Sequence, residues 1–170
     1  MKTISSPRLS YRELKIDDTD LIVEWRNSKR LREVSLSKDK FTAEGHKNWF
    51  INSRGSRSDF IFSEKLSKLP IGMISLEHKT FQSMSDNCFE LSKFIGNDSF
   101  GGKGYAFEAT EAVLNYFKKY NDVNFFFAVT RADNIPNIKL NQKVGFVIES
   151  FPSYIEHDPR KWIFMKMDIK

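Results

Sequence analysis

The chain has 170 residues, of which 40% are hydrophobic and 14% aromatic, a composition that can bury one substantial core and excludes a disordered protein. The chain has 27 Lys and Arg residues and 22 Asp and Glu residues, and its net charge of +5 favours an anionic partner. The basic residues, however, form no stripe of the kind that is typical of nucleic-acid binding. The sequence contains no apolar run of membrane-span length, no signal-peptide core and a single cysteine, so we expect one cytoplasmic domain over residues 1–170 without membrane contact or internal disulfide.

The first half of the chain predicts one strand, two helices and three further strands. Apolar and polar residues alternate in RLSYREL, as in a half-buried strand. Aspartates open DDTDLIVEWRN, which favours a helix N-terminus, and Leu21, Ile22 and Trp25 share one face of that helix. The basic stretch SKRLREV is interpreted as a loop, and TAEGHKNWFINS as a helix capped by Thr42. Strands are predicted at DFIFSEK, PIGMISLEH and CFELSKFIG.

The second half predicts two helices and three strands. A glycine cluster in FGGKGYAFEATEAVLNYF precedes an amphipathic helix, in which Ala109, Val113 and Phe117 recur at helical spacing. NFFFAVT is apolar on both faces, like a central strand, and IPNIKLNQKVGF predicts a short helix ended by Gly145. GFVIESF and KWIFMKMDI predict the last strands. The order β-α-α-β-β-β-α-β-α-β-β indicates a mixed α/β fold and not a doubly wound repeat.

The glycine cluster admits two interpretations. It can be a tight strand-to-helix turn that binds nothing. It can also hold a pyrophosphate, because small residues at a helix N-terminus expose unpaired N–H groups and the positive end of the helix dipole. Gly102, Gly104 and Ala106 would leave the clearance, and Lys103 adds a charge. Neither G-x-x-x-x-G-K-[ST] nor G-x-G-x-x-G fits, since Lys103 precedes Gly104 and Phe107 stands at the last glycine of the second pattern.

Two segments, GGKGYAFEA and DNIPNIKLNQKVGF, together resemble the GCN5-related N-acetyltransferase (GNAT) superfamily. Gly104 and Ala106 match the last two small positions of its pyrophosphate loop, R/Q-x-x-G-x-G/A, whereas Gly101 replaces the opening Arg or Gln. The later family stretch aligns with Asn134, Asn137, Asn141, Lys143, Gly145 and Phe146. The resemblance covers essentially the whole chain and implies a mainly antiparallel seven-stranded sheet with about four helices.

Within this superfamily, RLSYREL, WRN at 25–27 and HKNWF at 46–50 resemble the ribosomal-protein alanine acetyltransferase-like branch. There the chain is most similar to enzymes that acetylate nucleotide-linked 4-amino dideoxy sugars. The resemblance implies acetyl transfer from acetyl-CoA to a primary amine by direct attack in a ternary complex, with a small, anionic acceptor. A protein N-terminus or a polyamine as acceptor, and a non-catalytic acyl-CoA or nucleic-acid binder, stay open as alternatives, and the assembly can be a monomer or a homodimer.

The resemblance also implies a cofactor site. Backbone groups of the fourth strand would pair with pantetheine, the loop would hold the pyrophosphate, and residues of the last helix would bond the pantetheine arm or the phosphates. For these last residues, helix capping by the asparagines and solvation of the lysines are the alternatives. The residues are Phe94 and Ile95 in the strand, Gly101, Gly102, Lys103, Gly104, Tyr105 and Ala106 in the loop, and Asn134, Asn137, Lys139 and Lys143 near the last helix.

Glu90 is the candidate proton acceptor, as the single acid in CFELSKFIG. Partial burial between Phe89 and Leu91 would raise its pKa and make it a better base near neutral pH. The alternative is a solvent-facing glutamate paired with Lys93 or with a neighbouring strand. We assign no general acid, because Asn141 stands where many relatives carry a tyrosine that protonates the leaving sulfur. A thiol of pKa about 8.5 is a tolerable leaving group without much help.

Candidate acceptor-binding residues lie in the two N-terminal helices. Arg26 can bind a diphosphate and Trp49 can stack on a base or sugar, with Asn27 and His46 beside them. Core packing of the indole, and capping or solvation of His46, are the alternatives. The histidines show no metal-ligand spacing, so no metal is expected, and Cys88 is predicted to be a buried, inert thiol.

Overall fold

The computed structural model describes residues 3–35, 39–80, 87–155 and 157–169. The strands are β1 (Leu9–Glu13), β2 (Arg57–Glu64), β3 (Pro70–Lys79), β4 (Cys88–Ile95), β5 (Phe125–Arg131), β6 (Val147–Glu149) and β7 (Trp162–Asp168). The helices are α1 (Thr19–Asn27), α2 (Lys29–Val34), α3 (Ala43–Asn52), α4 (Tyr105–Tyr120) and α5 (Ile135–Val144). Short 3-10 turns precede α1 and α4, at Ile16–Asp18 and Asp98–Phe100.

The strands form one seven-stranded sheet in the order β1-β2-β3-β4-β5-β7-β6. Every neighbouring pair is antiparallel except β4 and β5, which run parallel. The predicted fold class, a mixed and mainly antiparallel seven-stranded sheet, is therefore confirmed. In the described ranges no helix has the length and apolar character that crossing a membrane requires.

The prediction of a loop at SKRLREV is wrong: this stretch forms α2, so the described residues contain five helices instead of the expected four or so. Ser28 caps the helix by accepting a hydrogen bond from the N–H of Leu31, and Leu31 is itself buried in the core. A six-residue helix is marginal in isolation, so its stability comes from this packing and not from the local sequence pattern. The element order accordingly gains one helix between the first two predicted helices.

Apolar cores lie on both faces of the sheet. On one face, α4 and α5 contribute Ala109, Val113 and Ile138 to the larger cluster, which they form with strand residues such as Phe126. On the other face, α1 places Ile22 and Trp25 against Ile61 and Met73 of β2 and β3. Side chains alternate along a strand, which is why neighbouring residues such as Ile61 and Phe62 belong to different clusters.

Strands β4 and β5 are paired along part of their length and then diverge. Their register comprises the pairs Cys88–Phe125, Phe89–Phe126 and Glu90–Phe127, although β4 continues to Ile95 and β5 to Arg131. Beyond Glu90, the edge of β4 that faces β5 has no strand partner in the described chain. The divergence opens a wedge between the two strands.

Candidate active site

The glycine cluster forms the turn that leads into α4. Gly102 and Gly104 have φ values of +70° and +80°, in the left-handed region that side chains disfavour. Gly104 is the N-cap residue and offers no capping side chain, so in the described chain no group accepts hydrogen bonds from the N–H groups of Tyr105, Ala106 and Phe107. A β-carbon on Gly102 would meet no atom within 4 Å. Open space, three donors and the helix dipole together suit a phosphate group.

Arg8, which the sequence analysis missed, fastens this turn to the start of β1. Its Nη1 atom donates to the Lys103 carbonyl at 3.0 Å, and its backbone N–H and Nε donate to the two carboxylate oxygens of Glu108 at 2.7 and 2.6 Å. Partial burial opposes ionisation of Glu108, but the hydrogen bonds from Arg8 outweigh it and lower the pKa of this carboxyl. Arg8 thus neutralises the carboxylate in the first turn of α4.

The other predicted residues of the loop and the last helix have mixed roles. Tyr105 is buried and donates its hydroxyl to Glu64, so its side chain packs under the turn. Asn134 caps α5 by accepting from the N–H of Asn137 at 3.3 Å, and Asn137 donates to the Thr130 hydroxyl at 2.8 Å. The Asn134 side chain therefore caps the helix, as the capping alternative stated, whereas the Asn137 side chain joins the helix to β5.

Two lysines on α5 are exposed, but one of them lies close to the turn. The Nζ atom of Lys143 lies 4.4 Å from the ring centroid of Phe107, in the first turn of α4. Lys139 is exposed and makes no hydrogen bond or ring contact with the turn in the part of the chain that the structure describes. Lys143 is thus the better placed of the two to meet a phosphate there.

A cavity of about 640 Å³ lies on the opposite face of the sheet, between β2, β3 and β4 and the helices α1 and α3. Its volume lies within the usual range of small-molecule sites. Five predicted residues line it, namely Arg26, His46, Trp49, Glu90 and Phe94. Other residues that line it were not predicted from the sequence, including Phe41, Arg57, Glu77 and Lys93. The cavity reaches the wedge, because residues of β4 beyond Glu90 border both.

Arg26 is a half-buried cation without an ion pair in the described part of the chain. Its guanidinium carbon lies 4.4 Å from the ring centroid of Phe41 and 5.6 Å from that of Phe94. Burial, with a smaller contribution from the nearby charge of Arg57, lowers the pKa of Arg26. A cation held by two rings keeps its hydrogen-bond donors available for an anionic ligand.

Asn27 was predicted to contact the acceptor, but its side chain bonds the backbone of Phe41 instead. The amide nitrogen donates to the Phe41 carbonyl at 2.8 Å, and the amide oxygen accepts from the Phe41 N–H at 2.9 Å. Asn27 does not line the cavity. It fixes the segment that places the Phe41 ring against Arg26.

His46 is buried, so the capping and solvation alternatives are wrong for this residue. Its Nδ1 atom lies 3.1 Å from the hydroxyl of Thr19, which donates to the Ile16 carbonyl at 2.6 Å. The imidazole proton therefore resides on Nδ1, and burial lowers the pKa of His46 so that the ring stays neutral. The Nε2 atom is buried without a hydrogen-bond partner in the described chain, which leaves an acceptor for a ligand O–H or N–H.

Glu90 faces Glu77 across the β3–β4 register, and both carboxylates line the cavity. Glu77 is held by Arg57 at 2.5 Å and by Lys79 at 2.7 Å, whereas Glu90 lies 3.4 Å from Lys79. The neighbouring-strand alternative for Glu90 is thus the observed pairing, with Lys79 as the partner. The Glu90–Lys79 ion pair is longer than either ion pair of Glu77. Glu90 is therefore the carboxylate that is held less tightly by neighbouring side chains.

Lys93 lies on the opposite face of β4 from Glu90, since side chains alternate along a strand. Its ammonium donates to Oδ1 of Asn141, on α5, at 2.6 Å. Asn141 is fully buried. Burial lowers the pKa of Lys93 to about 7. The pairing of Lys93 with Glu90, which the sequence left open, is therefore absent.

The fold and the site geometry can be compared with known proteins. Residues 8–147 match the family model described as the acetyltransferase (GNAT) domain. The chain belongs to the GNAT acetyltransferase family. It is an N-acetyltransferase whose acetyl donor is acetyl-CoA. The resemblance that the sequence suggested is confirmed at the level of this family.

Relatives of this GNAT domain share its fold at low sequence identity. The chain is 24% identical over 149 residues to the uncharacterized N-acetyltransferase YnaD of Bacillus subtilis, with 87% of this chain and 84% of that protein covered. It is similar in structure to the spermidine N-acetyltransferase of Vibrio cholerae in complex with CoA and spermine (TM-score 0.79, 16% identity, 95% of each chain). It is also similar to the aminoglycoside acetyltransferase AAC(6')-Ib in complex with coenzyme A (TM-score 0.77, 16% identity, 94% of each chain).

The residues of this GNAT domain that sequence reasoning missed depend on distant pairings. Arg8 lies 95 positions from the carbonyl that it bonds, and Lys93 lies 48 positions from Asn141. One signal was present: residues three apart on a strand face opposite sides, so Glu90 and Lys93 in CFELSKFIG could not pair. In the described residues, no group of three potential ligands could hold a metal ion, and Cys88 is buried.

Proposed function

We propose that this chain acetylates the primary amine of a small anionic acceptor, and that a nucleotide-linked 4-amino-4,6-dideoxy sugar fits the site best. The observation that carries the proposal is the cavity beside Glu90, in which Arg26 lies half-buried between two aromatic rings with no carboxylate partner in the described chain. Partial desolvation of such a cation is costly without a counter-ion, so we expect the bound acceptor to supply the negative charge.

The pyrophosphate of CoA is placed at the start of α4. The N–H groups of Tyr105, Ala106 and Phe107, the clearance at Gly102 and Gly104 and the nearby ammonium of Lys143 support this placement. The pantetheine arm is placed along the unpaired edge of β4, near Phe94 and Ile95. The Ile95 carbonyl already accepts one hydrogen bond from Arg30 at 2.5 Å, so the remaining backbone groups of this edge are the ones available to the arm.

Glu90 is assigned as the proton acceptor for the attacking amine. It lines the acceptor cavity at the point where β4 leaves β5, which brings the cavity and the wedge together. The carboxylate is 27% exposed and its ion pair with Lys79 is long, so it can take a proton directly or through one water. Arg57 and Lys79 hold Glu77 and keep it from the same role.

The sugar and the anionic group of the acceptor are assigned to different parts of the cavity wall. Arg26 binds the anionic group, and the rings of Phe41, Phe94 and Trp49 provide surfaces for an apolar sugar face or a base. The unpartnered Nε2 atom of His46 accepts a hydrogen bond from an acceptor hydroxyl. A deoxy sugar carries both the hydroxyl groups and the apolar methyl face that such a wall suits.

A polycationic acceptor is the second candidate, since structural relatives include a spermidine and an aminoglycoside acetyltransferase. The paired carboxylates Glu77 and Glu90 in the cavity favour it. Against it, Arg57 and Lys79 neutralise Glu77, and Arg26 would repel a second ammonium group.

The deciding experiment is an amine panel with acetyl-CoA, followed by release of free thiol. The panel contains UDP- and dTDP-linked 4-amino sugars, the same amino sugars without the nucleotide, spermidine, an aminoglycoside and an alanine-initiated peptide. We expect the highest kcat/KM for the nucleotide-linked amines. Preference for spermidine or the aminoglycoside would overturn the anionic acceptor and leave the transferase assignment in place.

A further inference from the structure

We propose that Lys93 is a catalytic residue that donates its proton to the sulfur of acetyl-CoA as the thioester is cleaved, and that Asn141 holds the Lys93 amine in position. The inference rests on the cofactor placement and the acetyl transfer proposed above. Because position 141 is an asparagine and not a tyrosine, no other proton donor has been assigned in this chain.

The two faces of β4 separate the two proton-transfer groups. Glu90 and Phe94 line the acceptor cavity, under α1 and α3. Lys93 follows Leu91 by two residues on β4, so the two side chains share one face of the sheet. Leu91 belongs to the core beneath α4. The amine therefore approaches from the side of Glu90, while the α4 N-terminus and α5, which flank the placed cofactor, lie on the side of Lys93. Because β4 and β5 have separated by this point, Lys93 also borders the inner end of the cavity.

Asn141 orients the lysine across the wedge. Its Oδ1 atom accepts from Nζ of Lys93 at 2.6 Å, and its Nδ2 atom lies 3.7 Å from the sulfur of Met165. The amide is 0% exposed, so it is held by packing as well as by these contacts. No carboxylate pairs with Lys93 in the described residues, and a partly buried ammonium with a single neutral partner is a costly arrangement for a structural role alone.

The acidity of the Lys93 ammonium suits proton transfer to the leaving sulfur. Burial lowers the pKa of Lys93 to about 7, which makes its ammonium a stronger acid than a thiol with an ordinary pKa of about 8.5. Proton transfer from nitrogen to sulfur is then downhill, whereas a solvated lysine would hold its proton more tightly than the thiol. The charged or titratable groups that line the same cavity are Glu90 on β4, Glu77 on β3, Arg57 on β2, and Arg26, Asp39, Lys40 and His46 on the helical side.

Lys93 and Glu90 together account for both proton transfers of the acetyl transfer. The bond from the amine nitrogen to the acetyl carbon forms, and the carbon–sulfur bond breaks with its electron pair on sulfur. Lys93 gives a proton to the sulfur, and Glu90 takes the proton that the nitrogen loses. The products are the amide and the thiol, and exchange with water returns Lys93 and Glu90 to their starting protonation states.

The first test needs no acceptor and uses CoA bound to the whole chain. Ultraviolet absorbance of the thiolate, followed against pH, gives the pKa of the bound CoA thiol. Lys93 loses its proton before the thiol does, but its neutral amine can still donate an N–H to the thiolate, so this pKa is expected to lie below the value in the Lys93→Met variant, which has no donor. Lys93→Gln, which can still donate to Asn141, is the second variant, and circular dichroism checks that each folds. Lys118→Met, at an exposed position of α4, is the matched control and is expected to match the unaltered chain.

The second test compares two leaving groups with the amine that the panel identifies. Loss of a general acid typically lowers turnover by about 10²- to 10⁴-fold with acetyl-CoA. The loss in Lys93→Met is expected to be much smaller with the acetyl selenoester of the same cofactor, because a selenolate leaves more readily without a proton. The decline of kcat as pH rises through about 7 is expected to disappear in the variant.

The outcomes separate the two proposals. If the unaltered chain does not bind CoA, the cofactor placement fails and the role of Lys93 fails with it. If CoA binds but its thiol titrates alike in the unaltered chain and both variants, Lys93 is not beside the sulfur and this inference alone is overturned. An equal loss of turnover with thioester and selenoester also overturns it, since a structural role would affect both donors alike.

Discussion

Gly96, the residue that follows β4, lies directly against the indole ring of Trp25 on α1. A β-carbon built on Gly96 would lie 2.0 Å from Cδ2 and 2.4 Å from Cε2 of that ring. Trp25 is 6% exposed and neighbours Arg26 along α1, so this contact sets the distance between the acceptor wall and the strand that carries Glu90.

Gly96→Ala is therefore expected to destabilise the fold by about 1–3 kcal/mol, the usual cost of overpacking a core. Chemical denaturation gives the free energy of unfolding. Gly101→Ala is the milder comparison: a β-carbon there would make a tight contact of 3.3 Å with the Asp98 carbonyl, far longer than the 2.0 Å at Gly96, and φ is an ordinary −64°. Equal stability of Gly96→Ala and the parent chain would contradict the close contact.

Gly104→Val tests the phosphate cradle. The substitution strains a residue with φ of +80° and places methyl groups beside the donors of the first turn. We expect the affinity for acetyl-CoA, measured by calorimetry, to fall by roughly 10- to 100-fold, since a hydrogen bond to a charged group contributes about 1.5–3 kcal/mol. Gly55→Val is the control. Gly55 also has a positive φ (+105°), but a β-carbon there would meet no atom within 4 Å and the residue lies outside the glycine loop, so this variant shows the effect of backbone strain alone. Equal losses of affinity in the two variants would disprove the cradle.

Glu90→Gln tests the proton acceptor. The amide keeps the size of the side chain but cannot take a proton, so kcat is expected to fall by about 10²- to 10⁴-fold. Affinity for acetyl-CoA should stay unchanged, which calorimetry checks. Glu111→Gln, at an exposed position of α4, should retain full activity. Turnover of Glu90→Gln at the parental rate would remove this role from Glu90.

Arg26→Met tests the anion site. The variant keeps the apolar contact with the rings of Phe41 and Phe94 but removes the charge. We expect kcat/KM for the nucleotide-linked amine to fall by roughly 10- to 100-fold, as for the loss of a charge-assisted hydrogen bond. The same amino sugar without its anionic group should be affected little.

The matched control for Arg26→Met is Arg160→Met, because the Arg160 side chain is 87% exposed. Kinetics with both acceptors should be unchanged in that variant. If Arg26→Met lowers kcat/KM equally for the charged and the uncharged acceptor, Arg26 supports the cavity and does not bind the anion.

Lys93 also makes stability depend on pH. Its pKa is about 7 in the folded chain and near 10.4 when solvated, so between these values the unfolded chain binds a proton that the folded chain does not. The free energy of unfolding therefore rises with pH from about 7 to about 10 on account of this group, by up to about 1.4 kcal/mol for each unit of pKa difference. Subtracting the curve of Lys93→Met isolates the contribution. A flat difference curve would show that Lys93 is solvated.

Local patterns predicted much of this fold because they act over a few residues. The cap at Thr42, the helix end at Gly145 and the amphipathic spacing of α4 depend on near neighbours, and the structure confirms all three. The loop prediction for SKRLREV failed because α2 is held by the burial of Leu31, which depends on residues far along the chain.

The sequence by itself determined that the chain is a GNAT domain with a glycine turn before α4, a carboxylate in β4 and basic and aromatic residues in the first helices. Only the tertiary structure decided which charges meet: that Lys79 pairs with Glu90, that Arg26 has no ion pair in the described chain, and that Lys93 reaches Asn141. The physical reason is that ion pairs and burial follow strand order and register, which bring together residues that are well separated in the sequence, whereas periodicity and capping are set by residues a few positions apart.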